Sequence, residues 1–220
     1  MAAIVIIGAS EQAKVVIDVV ECGGTHTIAG LVDARVPAGS MWCGYAVLGT
    51  DAEAAELWHQ RRIDGALIAI GDNATRAAVA ASMAERAPDL PFVTAVHPSA
   101  VIARDVVLGP GTVVMAGAVI NPGTTIGAHV IINTRASIDH DNTLGDCSSV
   151  APGVTTGGKV AIGQRTAIGV GANLIHGIAI GDDTVVGAGA AVVSDLPSNV
   201  LALGVPARVA RVRARGERYL

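Results

Sequence analysis

The sequence predicts a small parallel α/β domain joined to a three-sided β-solenoid, and three patterns carry that prediction. An aliphatic residue returns every six positions from Ile102 to Val192. Of the sixteen positions on this beat, fifteen are Ile, Val or Leu and one is Thr156. Glycine follows the aliphatic residue at 109, 127, 145, 163 and 181, an 18-residue period laid over the six. Ahead of the repeat, apolar runs of strand length alternate with helical patterns. A sustained repeat outranks local propensity, because each unit buries its apolar side only by stacking on its neighbours.

In chain order, Ala3 to Ile7 is an apolar run ending at Gly8 and reads as a buried strand. Residues 13–22 place Val15, Val16, Val19 and Val20 on one helical face, and Gly23-Gly24 stops the helix. Thr27 to Val32 is a second strand, ending at Asp33. Thr50-Asp51-Ala52-Glu53 has capping-box spacing and opens another helix. Ala66 to Ile70 is a strand ending at Gly71, Asn73 or Thr75 opens a helix through Arg86, and Phe92 to Val96 is a last strand. This alternation of apolar strands with helices implies a Rossmann-like parallel sheet. Ligands of such sheets lie beyond the carboxyl ends of the strands. The residues there are Gly8-Ala9-Ser10-Glu11-Gln12-Ala13-Lys14 in the first loop, Asp33-Ala34 after the second strand, and Gly71-Asp72-Asn73 after the third. The first loop enters a helix N-terminus, where free N–H groups favour phosphate. It is neither a Walker loop nor a full G-x-G-x-x-G fingerprint.

In the repeat, six residues fit one short strand plus a corner, and three sides complete an 18-residue coil. Side chains alternate along a strand, so the residue two places before each aliphatic one points inward with it. Those positions include Thr112, Ala118, Thr124, Val130, Ala136, Ser148, Thr166, Ala172, Thr184 and Ala190, small or β-branched groups that fit a narrow prism. The glycine column is expected where the backbone turns sharply and a Cβ is costly. The expected domains are residues 1–97, the α/β unit; 98–200, the solenoid; and 201–220, a short C-terminal tail.

Composition narrows the function. The chain has 220 residues, 51% hydrophobic and 15% charged, yet contains no uninterrupted apolar run of about 18 residues, so no membrane insertion is expected. A formal net charge of −4 gives no global basic footprint for nucleic acid. Cys22, Cys43 and Cys147 are odd in number and show neither zinc spacing nor a disulfide framework. They read as reduced thiols of a cytoplasmic protein, Cys147 as a packing residue of its coil. The segment MAAIVIIGAS lacks a basic n-region and reads as a strand rather than a signal peptide.

The order of features then carries a resemblance. A Rossmann-like unit is followed by His97-Pro98-Ser99-Ala100, the repeat, and Gly204-Val205-Pro206-Ala207-Arg208. Within the repeat lies Ile131-Ile132-Asn133-Thr134-Arg135-Ala136-Ser137-Ile138-Asp139-His140-Asp141. Over residues 3–208 the chain resembles the hexapeptide-repeat sugar acetyltransferases. These include sialic acid O-acetyltransferase and the N-acetyltransferases of nucleotide-linked 4-amino sugars of the bacillosamine and perosamine type. The resemblance implies a left-handed β-helix, a homotrimer, and acetyl-CoA as co-substrate along the helix between subunits, with no metal. It implies His140 as catalytic base supported by Asp141. Ser10, Glu11, Gln12, Asp33, Ala34 and Gly71 would hold the nucleotide, and Asn133 would lie near the sugar. The acetyl-CoA contacts fall at Ser149, Val170 and Ala188. The chain departs from the family at Glu11, which replaces a glycine, and at Gln12, which replaces a histidine. A carboxylate beside a pyrophosphate repels it unless it points away.

Acetyl transfer needs a base, alignment of the reactants and a donor for the oxyanion. A neutral imidazole suits the first task. The leading function is N-acetylation of a nucleotide-linked 4-amino-4,6-dideoxy sugar, and O-acetylation of a sugar such as sialic acid is the alternative. A zinc-dependent carbonic anhydrase on the same helix and a non-catalytic trimeric scaffold are remoter readings. His176 lies two coils beyond His140, hence about 10 Å away at the strand spacing. His129 and His97 read as structural. The arginines at 208, 211, 213, 215 and 218 form a solvated tail or lie near the CoA phosphates.

Overall fold

The structure, a computed structural model, describes residues 1–219. The first unit runs β1 (Ala2–Ile7), α1 (Glu11–Gly23), β2 (His26–Val32), β3 (Met41–Trp42), β4 (Tyr45–Gly49), α2 (Asp51–His59), β5 (Gly65–Ile68) and α3 (Asn73–Arg86). Its sheet has the order β3-β4-β2-β1-β5, parallel except for the β3–β4 hairpin. Ile4, Ile6 and Leu67 face α1, while Val5, Ile7 and Ile68 face α2 and α3. These strands are buried on both faces, which is why they read as continuous apolar runs. The β3–β4 hairpin was not expected, because Tyr45–Gly49 shows no clean alternation to mark it.

Helix starts follow local chemistry. Thr50 caps α2 by accepting from Ala52 N–H at 3.3 Å, and Asp72, rather than Asn73 or Thr75, caps α3 by accepting from Thr75 N–H at 2.8 Å. Ser10 stands at the N-cap of α1 without capping it. Its hydroxyl turns to Ala69 O instead, at 3.3 Å.

The run Phe92–Val96 is divided rather than a single strand. Phe92 bridges to Ala66 at the edge of the first sheet, while Ala95–Val96 forms β6 and pairs with the solenoid. One extended segment thus passes from one sheet to the other. Sixteen two-residue strands follow, β7 (Val101–Ile102) to β22 (Ala191–Val192), then β23 (Val200–Gly204) and β24 (Ala207–Val212). They stack as three sheets, parallel except for the antiparallel β23–β24 pair, with orders β22-β19-β16-β13-β10-β7, β20-β17-β14-β11-β8 and β24-β23-β21-β18-β15-β12-β9-β6. Register between neighbouring coils is 18 residues, as in Val119↔Ser137 and Ile131↔Ser149. The unit is a left-handed parallel β-helix. All ten inward small positions named from the sequence are buried, among the aliphatic column from Val114 to Val192.

The glycine column has a different cause from the one expected. None of Gly109, Gly127, Gly145, Gly163 and Gly181 has positive φ. A Cβ on Gly109 would meet the Gly127 backbone at 2.4 Å, and one on Gly181 the Ser198 backbone at 2.4 Å. Close approach between coils, not a left-handed turn, requires glycine there.

His129 is a core group, as its spacing suggested. Its ring packs edge-on to Phe92 at 4.6 Å, and its Nδ1 is buried without a hydrogen-bond partner among the described residues. Burial, then the nearby Arg76 guanidinium, pushes its pKa down to about 4. The unfolded chain therefore binds this proton more readily than the folded one, so the group costs no stability above about pH 6.5. Its penalty grows as pH falls through the interval to about 4 and then levels off, at about 3 kcal/mol at most. In urea melts at pH 7 and pH 4.5, His129→Gln should lose less stability on acidification than the parent. An equal loss in both would contradict this.

Candidate active site

Three recesses join end to end along the seam between the α/β unit and the helix. The first lies at the strand ends and is lined by Gly8, Asp33, Ala34 and Arg35. The second, sharing Arg35, Thr75 and Arg218 with it, is lined by Ser10, Glu11, Gln12 and Gly71. Gln12 and Gly71 also line the third, a groove of about 480 Å³ that continues over Asn133, Ser149, Val170 and Ala188. The groove wall is apolar, built on β12 (Ile131–Ile132), β15 (Ser149–Val150), β18 (Ala167–Ile168) and β21 (Val185–Val186). The fold thus brings every residue named for substrate and acetyl-CoA into one continuous trough.

Within the trough, Asp33 spends its carboxylate on the backbone. Oδ2 accepts from Ala9 N–H at 2.8 Å and Oδ1 from Arg35 N–H at 2.7 Å, locking the first loop to the end of β2. Glu11 is 82% exposed and ion-paired to Lys14 at 2.6 Å, so its charge is compensated locally. Gln12 Nε2 is buried at the junction of two recesses with no hydrogen-bond partner among the described residues. The carbonyl of Gly71 is fixed by Arg76, whose guanidinium also reaches the carbonyls of Ile70, His129, Cys147 and Ser148 and the Asn73 side chain. Arg76 is 1% exposed and pins the start of α3 to the helix. The Cys147 thiol is buried and pushed up by that burial, as suits a packing residue.

His140 and Asp141 stand elsewhere. Asn133 follows β12, whereas residues 139–142 form the corner between β13 (Ser137–Ile138) and β14 (Thr143–Leu144). A whole face of the prism separates the two corners. At the second corner His140 Nδ1 lies 2.8 Å from Asp141 Oδ2, and both side chains are about half exposed. His140 N–H donates to Asp139 Oδ1 at 2.8 Å, and this bond, more than that from Asn121, holds the Asp139 carboxyl below its usual range.

The corner is braced from inside the prism. Asn142 is buried at an inward position, where it donates to Asp139 O, Thr156 Oγ1 and Gly157 O and accepts from Val160 N–H. Thr156 Oγ1 also accepts from Asp139 N–H at 3.1 Å. The one break in the aliphatic beat is therefore a polar strut behind His140.

His176 is nearer than coil spacing suggested: its ring centroid lies 6.3 Å from that of His140. The position between them in the intervening coil is Gly158, which offers no side chain to keep the rings apart. A Cβ there would sit 2.5 Å from His140 Nε2. Among the described residues no group accepts from the Gly158 N–H.

Residues 3–83 match the family described as PglD N-terminal domain. No curated protein matches the chain. Among solved structures, PerB from Caulobacter crescentus, in complex with CoA and GDP-perosamine, is 41% identical with a TM-score of 0.89. The match covers 96% of this chain and 98% of that one. The chain belongs to the hexapeptide-repeat sugar acetyltransferases. A histidine-to-alanine mutant of GDP-perosamine N-acetyl transferase from the same organism is 40% identical with a TM-score of 0.90 and the same coverage. It too was solved with CoA and GDP-perosamine. The acetyltransferase domain of PglB from Neisseria gonorrhoeae FA1090 is 29% identical with a TM-score of 0.86, covering 95% of this chain and 100% of that one. No helix of the described residues is long and apolar enough to cross a membrane.

Proposed function

We propose that this protein transfers the acetyl group of acetyl-CoA to the amine of a nucleotide-linked 4-amino-4,6-dideoxy sugar. The observation that carries the reading is the continuous trough from Asp33 and Ala34, past Gln12 and Gly71, to Asn133 and the apolar groove. On this reading Ser10, Glu11, Gln12, Asp33, Ala34 and Gly71 surround the nucleotide, and Asn133 meets the sugar. Ser149, Val170 and Ala188 line the path of acetyl-CoA. Structures of a perosamine N-acetyltransferase at about 40% identity hold CoA and GDP-perosamine together, one of them with a histidine replaced by alanine.

His140 Nε2 takes the proton of the sugar amine as its nitrogen attacks the thioester carbonyl. Asp141 accepts a hydrogen bond from the Nδ1–H and stabilises the imidazolium that forms. The Gly158 N–H supplies a donor to the oxyanion. Collapse breaks the C–S bond, and the imidazolium returns a proton to the departing CoA sulfur. No covalent enzyme intermediate enters. The separation of His140 from the trough within one chain supports a cyclic trimer in which His140 of one copy faces the groove of the next. A monomeric mass by light scattering would contradict it. Dependence on acetyl-CoA, a cytoplasmic metabolite, supports a cytoplasmic location.

A thiol-release assay with acetyl-CoA and GDP-, UDP- and dTDP-linked 4-amino sugars tests the reading. Turnover of one of them is expected. Turnover of free sialic acid alone would move the protein to O-acetylation, and no turnover of any acceptor would overturn the assignment.

A further inference from the structure

Beyond β24 the chain folds into a closed turn. Glu217 N–H donates to Ala214 O at 3.1 Å, and the Glu217 carboxylate accepts from Ala214 N–H at 3.1 Å and from the Arg211 guanidinium. Arg213 is buried, donating to Asp183 O at 2.9 Å and to Glu217 O, and its guanidinium lies 6.0 Å from the centre of the Tyr219 ring. The Tyr219 hydroxyl sits 3.4 Å from both Ser149 Oγ and Gly71 O. Residues 217 and 219 are thus tied down on either side of Arg218, which lines the first two recesses.

The charges there are uneven. Asp33, Glu11, Asp51 and Asp72 all border these recesses. Lys14 is consumed by Glu11, and Arg35 lies 3.9 Å from Asp33. Among the described residues Arg218 pairs with no carboxylate. A diphosphate brought into this acidic recess needs cations, and a guanidinium matches phosphate oxygens in pairs.

We propose that Arg218 is a binding residue for the diphosphate of the nucleotide-linked sugar, and that Tyr219 is the positioning residue that holds it over the recess. This rests on the function proposed above. Arg215, on the same turn, borders a separate pocket with Arg165 and Asp183 and serves as the control.

Calorimetry with GDP, UDP, dTDP and CoA on the parent, Arg218→Ala, Arg218→Lys, Tyr219→Ala and Arg215→Ala tests it. Arg218→Ala should weaken the preferred nucleoside diphosphate about tenfold, leave CoA affinity alone and flatten the salt dependence, with partial recovery in Arg218→Lys. Tyr219→Ala should weaken the same ligand by a smaller factor, and Arg215→Ala should not. Unchanged diphosphate affinity in Arg218→Ala, or an equal loss in Arg215→Ala, would overturn the proposal while leaving the acetyltransferase reading intact. Failure of the parent to bind any of the three diphosphates would sink both.

Discussion

Two inactive variants should revive each other when mixed. His140→Ala removes the base, and the expected loss in kcat is about 10²- to 10⁴-fold. The fold should be unaffected, because the side chain is half exposed and, among the described residues, its only side-chain hydrogen-bond partner is the neighbouring Asp141. Ala188→Trp fills the apolar groove, where Ala188 is exposed. If one active site joins the His140 corner of one copy to the groove of the next, a mixed trimer contains sites in which both parts are intact. Random assembly of equal amounts leaves about a quarter of all sites wild type, so about a quarter of parental activity should return after co-refolding. A site built within one chain would always carry one of the two lesions, and the mixture would stay as inactive as its components.

The largest effect on stability is expected at Arg76. Its guanidinium makes six hydrogen bonds, five to carbonyl oxygens and one to Asn73 Oδ1, while 1% exposed. Arg76→Ala strands those carbonyls away from water, at about 1–3 kcal/mol for each buried acceptor left unmade. Some will relax, so the net cost should be about 3–5 kcal/mol, a large share of the stability of an ordinary domain. The loss should appear in urea melts as a lower midpoint. Because Arg76 bridges α3 to coils near residues 129 and 147, the transition should also lose cooperativity. A change below about 1 kcal/mol would show that this bridge is dispensable.

The repeat was legible because its physics is periodic: every coil must present the same aliphatic wedge, so register, inward positions and sheet type follow from counting. The first sheet was legible because buried parallel strands are apolar throughout. What escaped was non-periodic. Arg76 looks in sequence like any helix-surface arginine, and only its long-range partners reveal it. Asn142 sits on the inward count, yet its meaning depends on Thr156 fourteen residues later; the break at Thr156 was the available signal. The distance between His140 and His176 was overestimated because strand spacing says nothing of a ring leaning across Gly158. The trough residues were legible through family resemblance, whereas Arg218 was seen only as one of a run of arginines. That Asn133 and His140 stand at different corners of the prism was not drawn from the sequence, which named both without asking which corner each closes.

The strict 18-residue register also makes length along the groove a discrete quantity. Each coil adds one strand spacing, about 4.8 Å, and no smaller increment preserves the stacked interior. Ser149 and Ala167 are one such step apart, as are Ala167 and Val185. The helix therefore acts as a graduated ruler for an extended cosubstrate: inserting or removing one turn moves the marks by a whole division, and intermediate lengths must be met by the ligand or by the loops.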